Sequence, residues 1–506
     1  MGRRPEQKIP LNGYKFILGN IFWLSAVRIF TKVAALLTLP IITYYLSPQD
    51  FGVIAMVSVV QAFLSGIFSM GLVSYSSRII YRYERSDRRE CRECLGVVLF
   101  YILMFSTVGV VVSSLFIDRL VNFFIKDIIF PHRIYLYIPV LMAMLLAIYG
   151  FISDNILSLQ INKKIFYLEI VQFVLFMPLQ IVGLCYWGFD VWDVIVLQAA
   201  VQVAITVYGL WLIREWLSFS WHKLSIFKEA MRYSLPMVPL NFLSWVQDRI
   251  DKVYLNNMIS LNSVGIYTAG VNIATQYSFL SRPVMTAIKP EISKRLDAQD
   301  REIQSDIKDA FLIFVQFSLF LYLVISLFSK EVVQLLMNAR FHECYRIVPI
   351  FLLSIILSEA TGIFQLKFVF RNQTIWFPVT LFFSALLNVY FNYTLIPIFF
   401  VYGAALAKTL SEVILFFITL YISQRLHRTD YGLIRNLWPL LAVLALVYSL
   451  DAVALSAAYL FLLKLSVVLL YALTLDYLLS RISRRYRETR NIVTAGIRER
   501  MARWKT

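Results

Sequence analysis

The sequence predicts an all-α integral membrane protein of about fourteen transmembrane helices. Three observations carry that expectation. Of 506 residues, 59% are hydrophobic and 16% charged, with a mean hydropathy of +0.69; soluble domains run at about 45–50% apolar and about 25% charged. Apolar runs longer than about 18 residues, the length that suits a bilayer-crossing helix, recur along the whole chain. Lysine and arginine fall mostly into alternate loops between those runs.

The first run, Tyr14–Leu46, is too long for the apolar core of a signal peptide, so a membrane helix is expected from the start. Phe51–Ile80, Leu95–Ile117, Ile134–Ile161, Ile165–Trp187 and Val191–Ile213 follow as the second to sixth runs. A polar, aromatic-laced connector, Arg214–Arg232, interrupts the series. The seventh to twelfth runs are Tyr233–Ile259, Val264–Ile288, Ala310–Phe328, Ile347–Phe370, Ile375–Pro397 and Tyr402–Ile422. Two weaker ones, Leu437–Leu450 and Ala452–Leu479, close the apolar part. The expected organisation is a six-run lobe over 1–213, a connector over 214–232 and a second lobe over 233–425. Two additional helices over 426–480 and a basic tail over 481–506 complete it. No loop is large enough for a folded domain.

With the N-terminus inside, one set of loops carries 31 lysines and arginines and the other set 6. That asymmetry predicts N-in and C-in and an even number of crossings. It also accounts for the net charge of +17: basic inner loops face anionic lipid, and no nucleic-acid partner is implied. The tail Arg481–Thr506 suits either a surface helix or a disordered segment. The four cysteines form no disulfide framework, and Cys91-Arg-Glu-Cys94 is a lone pair in a charged loop.

The chain contains an internal repeat. Leu46-Ser47-Pro48-Gln49-Asp50-Phe51-Gly52-Val53-Ile54 is echoed 213 positions on by Ile259-Ser260-Leu261-Asn262-Ser263-Val264-Gly265-Ile266-Tyr267. Both are tight turns between the first two helices of a six-run block. A weaker echo pairs Gln160–Lys163 with Val369–Asn372 after the fourth and tenth runs. An even number of spans per copy makes the copies parallel, an arrangement that suits transport by rocking of two halves.

The turn "LSPQDFG", with Ser69-Met70-Gly71-Leu72 and Arg78 after it, resembles the polysaccharide branch of the multidrug/oligosaccharidyl-lipid/polysaccharide (MOP) exporter superfamily, the Wzx-type flippases. So do Ser263–Gly270, Pro290 with Ile292-Ser293, and Tyr402–Glu412. The resemblance implies two six-helix lobes around a V-shaped, cationic cavity lined by the first, second, seventh and eighth helices. It implies a polyprenyl-pyrophosphate-linked oligosaccharide as cargo, moved to the outer leaflet of a bacterial cytoplasmic membrane for O-antigen, capsule or exopolysaccharide assembly. A polymerase and a chain-length regulator are the expected partners.

The charges inside the runs are the candidate site. A charge near the bilayer centre costs roughly 2.5–3.5 kcal/mol on insertion scales, so each needs a protein or watery neighbour. Arg28 and Lys32 lie four apart in the first run with no acid in their own helix. They are the leading candidates for holding a pyrophosphate. Arg249 and Lys252 in the seventh run and Arg282 and Lys289 in the eighth extend the cationic set, as does Arg78 at the second run's inner end. Local pairing offers another account of the seventh run: Asp248 with Lys252, and Arg249 with Asp251. Arg78 and Lys289 can also reach the inner interface.

Asp154 in the fourth run and Glu359 in the tenth have no cation one turn away. They are candidates for ion coupling, or for a hydrogen bond to a neighbouring helix. Glu412 has Lys408 one turn before it, and Asp193 lies near the outer end of the sixth run. Trp23, Trp245, Tyr267, Tyr277 and Tyr390 could stack on sugars, but no sugar contact is assigned to them.

No catalytic, nucleotide-binding or metal-ligand motif occurs, so neither an enzyme nor a cofactor is expected. Two rivals stand beside the flippase reading. A drug or small-cation antiporter of the same superfamily should line its cavity with acids, whereas cations predominate here. A multi-span polysaccharide polymerase or ligase should carry a large external loop, and Asp118–Arg133 and Lys330–Tyr345 are short.

Overall fold

The computed structural model describes residues 37–83, 87–126, 131–282, 285, 301–426, 428, 431–451 and 456–482. Arg28, Lys32, Lys289 and Pro290 lie outside the described residues, as does the tail beyond residue 482. The regular elements described are helices throughout, with no strand among the described residues.

Several apolar runs become helices near their expected bounds, but the second breaks at Met70 and Gly71, both at positive φ, into Pro48–Phe68 and Leu72–Tyr83. The sixth and tenth match at both ends, as Val191–Ile213 and Ile347–Phe370. The third is Arg88–Leu115, the fourth Ile138–Ser158, the fifth Asn162–Tyr186 and the seventh Met237–Met258. The eleventh and twelfth are continuous in hydrogen bonding over Trp376–Leu426, 51 residues. A straight helix of that length would run about 76 Å, far beyond a hydrocarbon core of about 30 Å. Phe400, at φ 52° and ψ −128°, breaks it into two crossings. A Cβ on Gly403 would overlap the Leu395 carbonyl, so the reversal is tight.

Among the described residues, eight helices are long and apolar enough to cross a membrane. The helices Phe311–Leu327 and Ser329–Leu336, which meet at 52°, pass the same test only as a pair, as a broken span or a re-entrant loop. The expected fourteen is a count over the whole sequence, whereas the first run is described only from Leu37 and the eighth lies partly outside the described residues. The seventh run carries four charges between Asp248 and Lys252, and the eleventh and twelfth are merged.

The repeated turns are built alike. Ser47 caps Pro48–Phe68, and its hydroxyl accepts from the Asp50 N–H at 3.2 Å. The Asp50 carboxylate takes the Ser47 N–H at 2.9 Å, a reciprocal capping box. In the second copy Ser260 does the same for Leu261–Ala274, its hydroxyl accepting from the Ser263 N–H at 3.2 Å. The two turns meet. A Cβ on Gly52 would overlap the Leu261 carbonyl, and one on Gly265 the Pro48 carbonyl. Both glycines permit close backbone approach.

The weaker echo is displaced by three residues from the expected register. Gln160 and Asn372 are the matching positions: both have positive φ, 56° and 53°. The next N–H in each turn reaches back five residues, Ile161 to Ile156 and Gln373 to Phe368. The offset is then 212, in line with the Ser47 and Ser260 turns.

By contacts the described chain divides into two compact units. The first holds residues up to Thr268 with Leu336–Phe341 and Asn388–Ala404; the second holds Ala269–Leu335, His342–Leu387 and Ala405 onward. Within the first, Ile138–Ser158 is central, packing on Pro48–Phe68, Leu72–Tyr83, Arg88–Leu115 and Val191–Ile213. The connector is clamped to the third-run helix. Ser218 N–H donates to the Arg92 carbonyl at 3.0 Å, and Arg88 stacks 4.4 Å over Trp216. Lys223 donates to Glu90 at 2.9 Å, which holds its ammonium above the usual lysine range. Within the second unit, Phe311, Phe314, Phe364, Phe416 and Tyr431 form an aromatic core around the ninth-run helix Arg301–Leu327.

Candidate functional site

In the first unit the seventh-run helix packs its polar side on the second run. Arg249 Nη1 donates to Ser58 Oγ at 3.3 Å, and Trp245 Nε1 to the Val59 carbonyl at 3.1 Å. Trp245 is otherwise boxed by Phe63 and Phe124, with ring centroids 5.0 and 5.7 Å away. Asp251, 4% exposed, accepts from the Tyr267 hydroxyl at 2.5 Å, tying the seventh run to the eighth. No ion pair joins Arg249 to Asp251 among the described residues: the acid is engaged by Tyr267 and the guanidinium by Ser58. Lys252, half-buried, follows Asp251, whose carboxylate takes the Lys252 backbone N–H at 2.8 Å.

The two candidate coupling acids take one kind of partner. Ser77 donates to the Asp154 carboxylate and lies 2.9 Å from Ser158 Oγ. Ser281 donates to Glu359 at 2.8 Å. Each serine belongs to the second run of its repeat and each acid to the fourth. Arg78 and Arg282 follow the two serines directly and are exposed; Arg78 stacks 4.9 Å over Tyr233. The levels differ. Asp154 stands five residues before the helix cap Leu159, and Glu359 stands twelve before Arg371. Seven residues are about 10 Å of helix, so Glu359 sits mid-helix and Asp154 near an end.

Several buried ionisable groups escaped the sequence reading. Glu169, in the fifth-run helix, accepts from the Tyr149 hydroxyl at 2.9 Å. It stands inside the fifth run, four residues past Ile165 and close to Lys163 and Lys164. In the second unit Lys464, 4% exposed at its side chain, lies 2.6 Å from Glu331. Their separation of 133 positions is invisible to local spacing. Lys367 is 1% exposed with its ammonium 4.8 Å from the Tyr431 ring. Lys408 and Glu412, one turn apart, form the expected pair at 3.2 Å. Of the five aromatics considered for sugar stacking, Tyr267 and Tyr277 are fully buried; Tyr277 donates to Ser318 at 2.7 Å.

Comparison with solved structures finds the same architecture elsewhere. A structure described as the lipid II flippase MurJ in an inward closed conformation aligns with a TM-score of 0.72 at 13% identity, covering 91% of this chain and 99% of that one. An inward-facing multidrug resistance MATE family transporter of the MOP superfamily aligns at 0.57 and 14% identity, covering 80% and 99%. A MOP superfamily transporter from Pyrococcus furiosus, whose description speaks of reversed binding-pocket polarity, aligns at 0.52 and 14% identity, covering 81% and 96%. No curated protein matches the chain. The family model for polysaccharide biosynthesis proteins matches residues 17–296, more than half of the sequence. With the helical fold, the duplicated turns and this match in hand, the chain is a member of the polysaccharide biosynthesis protein family.

Proposed function

We propose that the protein is a flippase that turns a polyprenyl-pyrophosphate-linked oligosaccharide from the inner to the outer leaflet of a bacterial cytoplasmic membrane. The cargo's head is charged and rich in hydroxyls, and burying each such group in hydrocarbon costs several kcal/mol. A transporter therefore needs fixed cations along a wet path while the isoprenoid tail stays in lipid. The observation that carries the reading is the seventh-run helix. It holds Arg249 and Lys252 mid-length, with Arg249 turned onto the second run at Ser58.

Under this reading two lobes, 1–213 and 233–425, alternate access between the leaflets with both termini inside. Arg28, Lys32, Arg78, Arg249, Lys252, Arg282 and Lys289 supply the positive charge. Asp154 and Glu359 are the proton- or ion-responsive groups. A polymerase and a chain-length regulator take up the product. The antiporter reading keeps one supporting observation, the hydroxyl-bonded acids in both units. The closer fold similarity to a lipid II flippase weighs against it.

The test is an export assay in a deletion strain. An Arg28→Gln/Lys32→Gln double variant, and separately Arg249→Gln, should abolish surface polymer and leave lipid-linked repeat units on the inner leaflet at normal protein level. Unchanged export in these variants would remove the pyrophosphate assignment.

A further inference from the structure

The first unit contains a cavity of about 400 Å³ beside the fifth run. One face of the Asn162–Tyr186 helix forms its long wall, from Glu169 through Gln172, Phe173 and Phe176 to Gln180. Those positions share a helical stripe, and eleven residues span about 16 Å. Thr38 of the first run, Phe51 and Ile54 of the second and Gln198 of the sixth close the space.

The lining has a definite chemistry. Among the described residues, the amides of Gln172, Gln180 and Gln198 make no hydrogen bond to another side chain or to the backbone. Gln180 is only 4% exposed. Amides that meet no protein partner face the cavity, where water or a ligand with matching donors and acceptors pairs them. Among the described residues, none of those lining the cavity is lysine or arginine, and Glu169 brings negative charge. That described lining disfavours a phosphate. A metal or ammonium ion would use Glu169 and the amide oxygens, but each primary amide also brings two N–H donors that a cation leaves unmet. Hydroxyl groups answer both halves of an amide. The rings of Phe51, Phe173 and Phe176 offer flat apolar surfaces for the C–H face of a sugar.

We propose that this cavity is a subsite for a neutral sugar of the cargo, distinct from the cationic site that takes the pyrophosphate. The proposal rests on the flippase reading. Its size falls at the small end of ligand pockets, roughly 300–1,000 Å³, room for about one or two sugar rings. The two sites are also neighbours. Ile54 on the cavity wall precedes Ser58, the partner of Arg249, by one helical turn on the same face of Pro48–Phe68. A pyrophosphate at Arg249 would leave the first sugar between the sites and a later one in the cavity.

The experiment compares two lipids in reconstituted vesicles: the host's complete lipid-linked repeat unit, and the same polyprenyl pyrophosphate bearing only its first sugar. Melting temperature and reconstituted protein amount are measured alongside. A Gln172→Leu/Gln180→Leu variant should slow the complete unit by on the order of ten- to a hundredfold, two lost hydrogen bonds' worth. It should leave the one-sugar lipid within about twofold, a difference too small to reflect a lost hydrogen bond. Glu169→Gln, which keeps an acceptor for Tyr149, separates the subsite from a cation site. Equal slowing of the two lipids, or no slowing of either, overturns the subsite. Abolition by Glu169→Gln, with a sodium or proton requirement, overturns it in favour of a cation site. If the unmodified protein moves neither lipid, the flippase reading itself falls and the subsite with it.

Discussion

Ser281 Oγ donates to the Glu359 carboxylate at 2.8 Å, joining the eighth run to the tenth. The first unit repeats the device with Ser77 and Asp154. If these acids couple transport to an ion gradient, Glu359→Gln keeps the serine's acceptor but cannot exchange a proton. Export by that variant should lose its response to external pH while protein level holds. Ser281→Ala should cost about 1 kcal/mol of stability, one net hydrogen bond, and shift the pH profile without flattening it. A profile unchanged in both variants would reduce the pair to a structural bond.

The reciprocal contact of Gly52 and Gly265 leaves no space for a side chain. Gly265→Ala should push the Ser47 and Ser260 turns apart at a cost of about 1–3 kcal/mol, the range for overpacking. Labelling of a Ser58→Cys probe by an impermeant thiol reagent, in a background lacking the four native cysteines, reports the change. The expected result is faster labelling from the outside in the Gly265→Ala variant. Gly66, which has open space around its Cβ position, serves as the control.

Lys464 and Glu331 join the fourteenth-run helix Ala457–Ile482 to Ser329–Leu336. Removing one partner strands a charge in an apolar setting. Glu331→Gln should lower stability by about 3 kcal/mol, the low end for a broken buried pair, because Glu331 keeps 32% side-chain exposure. Lys464→Met added to Glu331→Gln should restore much of the loss. Thermal unfolding in detergent measures both.

Ser47 and Asp50 hold the start of the second run through a two-way cap. Ser47→Ala should cost about 1 kcal/mol, and Asp50→Ala a similar amount by removing the return bond. Ser260→Ala in the second copy should cost less, since Ser263 offers a hydroxyl where the first copy has a carboxylate. Melting temperatures of the three variants rank them.

Fold and repeat were largely legible because both write themselves locally. The bounds of Val191–Ile213 follow from hydrophobicity meeting Asp190 and Arg214, and Asp190 caps that helix as its side chain invites. The turn of Ser47–Gly52 and its echo share a capping hydroxyl and a glycine at fixed offset. The candidate site was legible only in part. Charges conspicuous against an apolar run, such as Arg249, Asp154 and Glu359, could be picked out. Their partners could not, because Ser77, Ser58 and Ser281 are unremarkable serines until folding brings them close. Lys367 escaped for a similar reason: its neighbour Tyr431 lies 64 positions away, and only packing puts the ring beneath the ammonium. The cavity beside Gln180 depends on four separated segments and has no linear signature.

The mutual seating of Gly52 and Gly265 also says something about descent. Each glycine meets the other copy's version of the residue that the other meets, Leu261 against Pro48, 213 positions apart in both cases. A half-length ancestor pairing with itself across a two-fold axis would have made this contact twice, from identical surfaces. Gene fusion then needed to invent no new interface; it turned a homodimer's self-complementary patch into an internal joint whose halves were free to diverge.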